Sequence, residues 1–100
     1  MTYSLYRERD HMGDSGQMSM GLIPIRNESN DLVDVKYEHD CPPRVGIALR
    51  VGSMHARSYH AQDWWQTTLI TEIVEETVDN NEITVKFKTS SNSIYIWRKF

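Results

Sequence analysis

Three β-prone runs near the C-terminus, residues 70–77, 83–89 and 94–99, constrain the fold of this chain more than any other feature. They are rich in β-branched and aromatic side chains, which favour strands. Short polar gaps separate them, and each gap contains asparagine, at Asn80-Asn81 and at Ser91-Asn92. Asparagine tolerates the left-handed backbone conformation that tight hairpin turns require. The C-terminal part therefore predicts a three-stranded antiparallel meander.

Two-residue loops at both gaps would fix the register of this meander. The resulting cross-strand pairs are Asp79 with Glu82, Val74 with Phe87, Phe87 with Ile96, and Lys86 with both Glu75 and Trp97. This register sorts the side chains into two faces, and a slip of one residue would mix them. The predicted core face contains Val74, Val78, Ile83, Val85, Phe87, Ile94 and Ile96, and Glu72 and Glu76 also fall on it near the ends. The predicted second face contains Ile73, Glu75, Lys86, Lys88, Tyr95 and Trp97.

The rest of the chain also favours strands. Val33, Val35 and Tyr37 alternate with polar residues, and a second alternating series runs through Val45, Ile47, Leu49 and Val51. Pro24 lies in a short apolar segment and would suit an edge strand, because it has no backbone donor. The fold class predicted is mainly β, as a small barrel or curved antiparallel sheet with at most a short helix.

The chain divides into an extended N-terminal arm, residues 1–21, and a single small β domain, residues 22–100. The arm is polar and has no sustained period, so we expect it to contribute little to the core. Deletion of residues 2–15 should then leave the thermal midpoint nearly unchanged.

The charge and cysteine content of the chain limit the binding partners, disulfides and cellular location that we expect. A formal net charge of −3 provides no overall attraction to nucleic acid or to an anionic membrane, although Lys36, Arg44, Arg50 and Arg57 form a loose basic set. One cysteine excludes an intrachain disulfide. Neither an apolar signal core nor a membrane-spanning stretch is present in the sequence, so a cytoplasmic location is expected.

Lys86, Lys88, Tyr95 and Trp97 form the first candidate site, on the second face of the meander. Aromatic rings beside lysines are typical of sheets that stack bases and contact phosphates of single strands. The same four side chains are also typical of cross-strand packing beneath another segment of the chain, or of a dimer interface.

Adjacent tryptophans, Trp64 and Trp65, form the second candidate site. Neighbouring residues point in opposite directions in a strand and diverge in a helix, so both rings cannot easily enter one core pocket. Tryptophan is enriched at binding hot spots. We therefore expect one of the two rings at an interface or partly exposed.

A small enzyme with a site around Cys41, His55, His60 and Asp63 is a further alternative. The spacing of His55 and His60 fits no standard zinc motif, and His39 and Asp40 lie too close to Cys41 for all three to reach one ion without a turn. We expect no cofactor, no metal and no catalytic residue.

The second half of the chain resembles small uncharacterised proteins of bacteriophages and mobile integron gene cassettes. The stretches that carry the resemblance are Val51-Gly52-Ser53, Ala56-Arg57-Ser58-Tyr59, Gln62-Asp63-Trp64-Trp65-Gln66-Thr67-Thr68, Ile70-Thr71-Glu72-Ile73, Val85-Lys86-Phe87-Lys88-Thr89 and Asn92-Ser93. The resemblance implies a bacterial or phage context, a compact stand-alone product and self-association. It assigns no catalytic residues.

Together these features predict a non-catalytic module that binds a protein partner or a second copy of itself, as a dimer. Single-stranded nucleic-acid binding and a small enzyme remain the alternatives.

Overall fold

The structure is a computed structural model that describes residues 2–53 and 64–100. Those residues form nine strands: β1 (Tyr3–Arg7), β2 (Gly13–Gly16), β3 (Met18–Arg26), β4 (Leu32–His39), β5 (Ala48–Gly52), β6 (Trp64–Gln66), β7 (Ile70–Asp79), β8 (Glu82–Thr89) and β9 (Ile94–Lys99). Among them there is no helix with the length and apolar character needed to cross a membrane.

Two antiparallel sheets are built from these strands. One has five strands in the order β2-β1-β9-β8-β7, and the other has four in the order β4-β3-β5-β6. The mainly β fold class is thus confirmed, and the small barrel remains a prediction.

The meander is present as β7, β8 and β9, and its first turn lies where it was predicted. Asp79 pairs with Glu82. Asn80 and Asn81 between them both have positive φ, of 48° and 68°. This is the combination that a two-residue hairpin turn requires, and asparagine adopts it at low cost.

The second turn is one residue longer than predicted. Thr89 N donates to Ser93 O at 3.0 Å, and Asn92 N donates to Thr89 O at 2.9 Å, with Asn92 at a φ of 62°. A type I turn followed by a left-handed residue is a common three-residue hairpin loop. Phe87 therefore pairs with Tyr95, and its predicted pairing with Ile96 is wrong.

A register shift in β7 changes the first hairpin as well. Glu75 pairs with Lys86 as predicted, but Ile73 pairs with Phe87, so the extra residue Val74 lies opposite no partner. The predicted pair of Val74 with Phe87 is wrong, because such a bulge places two residues opposite one.

These two shifts rearrange the predicted faces of the meander. The core side holds Val85 and Phe87 as expected, together with Tyr95 and Trp97, which were assigned to the other face. Ile94 and Ile96 are half-buried on the side opposite to Tyr95 and Trp97. Val74 and Val78 are exposed on edge strand β7.

The N-terminal segment is part of the core, so the prediction that it contributes little there is wrong. β1 pairs with β9, and Tyr3 and Leu5 are completely buried. β2 pairs with β1 and leads through Gln17 into β3 of the other sheet. At this corner, a Cβ on Gly16 would clash with the carbonyl oxygen of Gly52, so only glycine allows the two backbones to lie so close.

β3 lies between β4 and β5, so the prediction that Pro24 marks an edge strand is wrong. The pairing of β3 with β5 ends at Leu22 and Ala48, before the chain reaches Pro24. The missing backbone donor of proline is therefore tolerated in an interior strand, beyond the end of its neighbour.

β5 confirms part of the predicted alternation. Ile47, Leu49 and Val51 are buried, whereas Val45 is exposed because Gly46 turns the chain with a φ of 96°. Ile70 N donates to Ile47 O at 2.8 Å, which ties the start of β7 to the segment before β5.

The two sheets share one core. Trp97 Nε1 donates to Ser19 Oγ at 3.0 Å, and Ser19 Oγ donates to Cys41 O at 2.9 Å, so a buried polar chain crosses between the sheets. The buried hydrophobic cluster comprises Tyr3, Leu5, Cys41, Ile47, Leu49, Val51, Ile70, Val85, Phe87, Tyr95 and Trp97.

Candidate functional site

The predicted surface of Lys86, Lys88, Tyr95 and Trp97 is not formed. Tyr95 and Trp97 are 4% and 1% exposed in the core, whereas the two lysines alternate with the buried residues of β8 and lie on the opposite side of the sheet. The extra residue in the second turn is the cause, because shifting a strand by one residue exchanges its faces. The stacking platform on which the nucleic-acid alternative depended is therefore absent from this sheet.

Tyr95 and Trp97 have packing partners that account for them. Tyr95 stacks on Phe87 with ring centroids 5.6 Å apart, and its hydroxyl accepts a hydrogen bond from Trp65 Nε1 at 3.0 Å. Trp97 lies 5.8 Å from the ring of Tyr3. Both polar tips are hydrogen-bonded, as buried Tyr and Trp require.

Lys86 is engaged by acidic neighbours within the chain. Its Nζ lies 2.8 Å from Glu8 Oε2, and this hydrogen bond, followed by the charge of Glu8, raises the pKa of Lys86. Glu75 lies opposite it on β7 and adds a smaller contribution. The adjacent cavity of about 260 Å³ is lined by Glu75, Thr77, Thr84, Lys86 and Ile96.

Trp64 and Trp65 point to opposite sides of β6, as their adjacency in a strand requires. Trp65 packs against the core and donates to Tyr95, and the guanidinium of Arg7 lies 5.1 Å from its ring centroid. Trp64 is partly exposed on the side that faces away from the core.

On that outer side, Trp64 belongs to a group of four residues that we call the arginine face: Tyr37, Arg50, Trp64 and Gln66. The guanidinium carbon of Arg50 lies 4.7 Å from the ring centroid of Trp64 and 5.8 Å from that of Tyr37. Arg50 Nη2 and Nε both donate to Gln66 Oε1, at 2.9 and 3.1 Å. Two rings and one amide thus hold the arginine in a fixed orientation, each cation–π contact contributing roughly 0.5–1 kcal/mol at an exposed site.

Strand order explains why these residues meet. Met20 on β3 pairs with His39 on β4 and with Arg50 on β5, so residues at this level of the three strands share one side. The sequence indicated Tyr37 through its alternation and Arg50 as part of a loose basic set. It did not indicate their proximity, which depends on β3 lying between β4 and β5.

An apolar groove of about 220 Å³ adjoins the arginine face. It is lined by Leu22, Pro24, Arg26, Leu32, Val35, Ala48, Gln66 and Leu69. Tyr37 and Leu32 at its margin on β4 are more than half exposed. A contiguous apolar area beside a positioned arginine is a feature of protein-binding surfaces.

The alternative site around Cys41 cannot be assembled from the described residues. His55, His60 and Asp63 lie outside them. Cys41 is completely buried, and burial is the main cause that raises the pKa of its thiol, although Arg44 Nη1 lies 3.3 Å from Sγ. A thiol with a raised pKa stays protonated at neutral pH and is a poor nucleophile. Within residues 2–53 and 64–100, no three His, Cys, Asp or Glu side chains form a group that could hold a metal ion.

A cleft of about 320 Å³ contains two titratable side chains, His39 and Asp40, beside Gln17, Met18 and Ser19. Tyr3 OH donates to Asp40 Oδ1 at 3.0 Å. Burial, and then this hydrogen bond, raise the pKa of Tyr3 to about 12. The phenol is therefore neutral and the carboxylate oxygen occupied at physiological pH, so the pair links the two sheets and is not arranged for proton transfer.

No protein-family model, curated protein or solved structure matches the chain.

Proposed function

We propose that this chain is a non-catalytic interaction module that associates with a second copy of itself through the arginine face and the neighbouring free edge of the four-stranded sheet. The observation that carries the proposal is the placement of Arg50 against Trp64 and Tyr37 beside an apolar groove.

Energetics support this surface over the others. Arginine, tryptophan and tyrosine are the residue types most enriched among binding hot spots. Arg50 already loses much of its side-chain freedom to Gln66 and the two rings, so ordering it on association costs little further entropy. The candidate residues Lys86, Tyr95 and Trp97 are, by contrast, occupied by partners within the chain.

The geometry of the edge supports a second copy as the partner. β4 is the last strand of its sheet, and no described strand pairs with its outer side. Leu32, Val33 and Tyr37 on this strand are each more than half exposed. Self-association is also what the resemblance to phage and integron-cassette proteins implies.

Sedimentation velocity over a concentration series tests the proposal. The protein should pass from monomer to dimer, and Tyr37→Ala, which removes the arginine-face ring on edge strand β4, should raise the dimer dissociation constant about tenfold or more, since loss of a hot-spot residue costs about 2 kcal/mol or more. Arg50→Ala should have the same direction of effect.

Phe100→Ala is the matched control, because Arg98 lies 5.2 Å from the Phe100 ring in an exposed arginine–aromatic pair outside the four-stranded sheet. Its dissociation constant should equal that of the wild type. A wild-type protein that sediments as a monomer at every concentration contradicts the proposal.

A further inference from the structure

The outer side of β4 pairs with no described strand, and a backbone donor on it is bonded only to a side chain of the same strand, which a pairing strand could displace. Val35 N–H donates to the side chain of its own neighbour, Asp34 Oδ1, at 2.8 Å. Its partner across the β3–β4 ladder is Pro24, which has no backbone donor. In an antiparallel ladder, residues alternate between directing both backbone groups to one neighbour and to the other. Val35, and with it Tyr37, therefore directs its backbone groups to the free edge.

The order of side chains along this edge is self-complementary. Asp34 and Lys36, which flank Val35, carry opposite charges. The next residues outward are Val33 on one side and Tyr37 on the other. Two copies arranged antiparallel about Val35 would bring Asp34 of each opposite Lys36 of the other. They would also bring Val33 opposite Tyr37. Opposite charges and β-branched–aromatic pairs are both favourable cross-strand neighbours.

We propose that two copies join edge to edge along β4, antiparallel, with Val35 on the two-fold axis. The inference rests on the proposed self-association and assigns it one register. The two four-stranded sheets then form one continuous sheet across the axis. Because the two-fold axis of such a ladder is perpendicular to the sheet, the arginine faces of both copies lie on the same side.

Charge excludes the neighbouring registers. Centring the pair one residue earlier places Asp34 opposite Asp34 of the second copy, and centring it one residue later places Lys36 opposite Lys36. Centring it on Tyr37 brings Lys36 opposite Glu38 but also Asp34 opposite Asp40, and centring it on Val33 brings no two charged residues of the strand opposite each other. Like charges directly opposite each other destabilise a ladder, so among these registers the one centred on Val35 pairs opposite charges without placing like charges opposite each other.

A charge reversal and its compensating swap test the register. Lys36→Asp replaces both attractive pairs with repulsive ones and should raise the dimer dissociation constant about tenfold or more. The double variant Asp34→Lys/Lys36→Asp restores opposite charges at both pairs and should return the constant to within about threefold of the wild type. Both positions are exposed, and circular dichroism verifies that each variant is folded.

Arg9→Asp is the control, since it makes the same change in net charge at an exposed turn residue that lies outside both sheets. Sedimentation equilibrium at low ionic strength measures all four proteins. Weaker dimerisation of Lys36→Asp, together with restored dimerisation of the double variant, supports the register. If the wild type dimerises and Lys36→Asp dimerises equally well, or the double variant shows no rescue, this register is wrong and the proposed self-association stands. If the wild type is a monomer throughout, the proposed function itself fails.

Discussion

The β3–β4 and β7–β8 hairpins each place one strand at a sheet edge that no other described strand pairs with, and these two edges differ in charge. The β3–β4 hairpin ends the four-stranded sheet and the β7–β8 hairpin ends the five-stranded one. Both carry exposed apolar side chains, such as Val33 on β4 and Val78 on β7. Acidic and basic residues alternate along β4, whereas β7 contains four acidic residues and no basic one.

The difference shows how charge controls which edge can pair. A second copy of β7 could offer the first no opposite charge in any antiparallel register, and two register shifts further disrupt its ladder. Two of the four acids of β7 are compensated inside the chain, where Glu75 pairs with Lys86 and Glu72 with Lys88. β4 has no such internal series of opposite charges. Exposed apolar residues alone therefore do not distinguish the two edges.

Removing β1 and β2 tests this comparison most severely, because it would leave β9 as a sheet edge in place of β2. Deletion of residues 2–15 should prevent stable folding, since it removes the buried Tyr3 and Leu5 together with the ladder that covers β9. Near-ultraviolet circular dichroism of the tryptophans and the thermal midpoint measure the loss.

Two single substitutions in β1 test quantitatively whether this strand belongs to the core. Leu5→Ala should lower the free energy of unfolding by about 2–5 kcal/mol, and Tyr6→Ala, on the exposed side of the same strand, by less than about 1 kcal/mol. Equal effects of the two substitutions, or an unchanged midpoint after the deletion, would refute the assignment of β1 to the core.

The Tyr3–Asp40 hydrogen bond links the end of the β3–β4 hairpin to the other sheet. High pH should weaken this link, because it ionises the Tyr3 phenol. Burial, followed by the bond to Asp40, raises the pKa of Tyr3 to about 12 in the folded protein, against about 10 in the unfolded chain. The folded state therefore holds the phenol proton more tightly. This contribution is complete below about pH 10 and is lost as pH rises through 12, by about 2 kcal/mol.

Urea unfolding of the wild type and Tyr3→Phe at pH 9 and near pH 12 measures this contribution. The wild type should lose more stability than Tyr3→Phe over this interval, because phenylalanine has no proton to lose. Parallel pH dependence in the two proteins would show that Tyr3 does not control this linkage.

The β3–β4 and β7–β8 turns are stabilised in different ways. Substitutions in these turns should change the free energy of unfolding less than the variants above. Asn27 Oδ1 accepts from Ser29 N at 2.9 Å and from Asp31 N at 3.0 Å, so the β3–β4 turn depends on a side chain. The β7–β8 turn depends on the backbone conformation of Asn80 and Asn81. Asn27→Gly should cost about 1 kcal/mol, whereas Asn81→Gly should be neutral or slightly stabilising because glycine suits positive φ. Chemical denaturation of both variants makes the comparison, and an equal loss in both would contradict it.

The first turn of the meander could be predicted from sequence because Asn80-Asn81 specifies a local backbone conformation. The second could not, because Ser90-Ser91-Asn92-Ser93 is compatible with a two-residue or a three-residue loop. That single residue decides whether Tyr95 and Trp97 face the core or the lysines. Local chemistry thus predicted the strands but left the faces of β9 undetermined.

Individual residues of the candidate site could be predicted from the sequence, but their contacts could not. The divergence of Trp64 and Trp65 was expected from their adjacency in either a strand or a helix, and the two side chains lie on opposite sides of β6. Contact between Tyr37, Arg50 and Trp64 depends on strands that are not neighbours in sequence, and one sequence carries no signal for that order. For the same reason, the sequence did not indicate that β1 pairs with the last strand of the chain.

The single cysteine of this chain, Cys41, provides an internal measure of how often the protein opens. Its sulfur is buried between β3 and the segment before β5, where the missing Cβ of Gly21 leaves room for it and Arg44 donates a hydrogen bond to it. A thiol-specific label can therefore react only in molecules in which this region has separated. When closing is faster than labelling, the observed rate divided by that of a free thiol equals the opening equilibrium constant. Labelling kinetics at Cys41 thus report the local stability of the sheet that carries the free β4 edge, without any added probe.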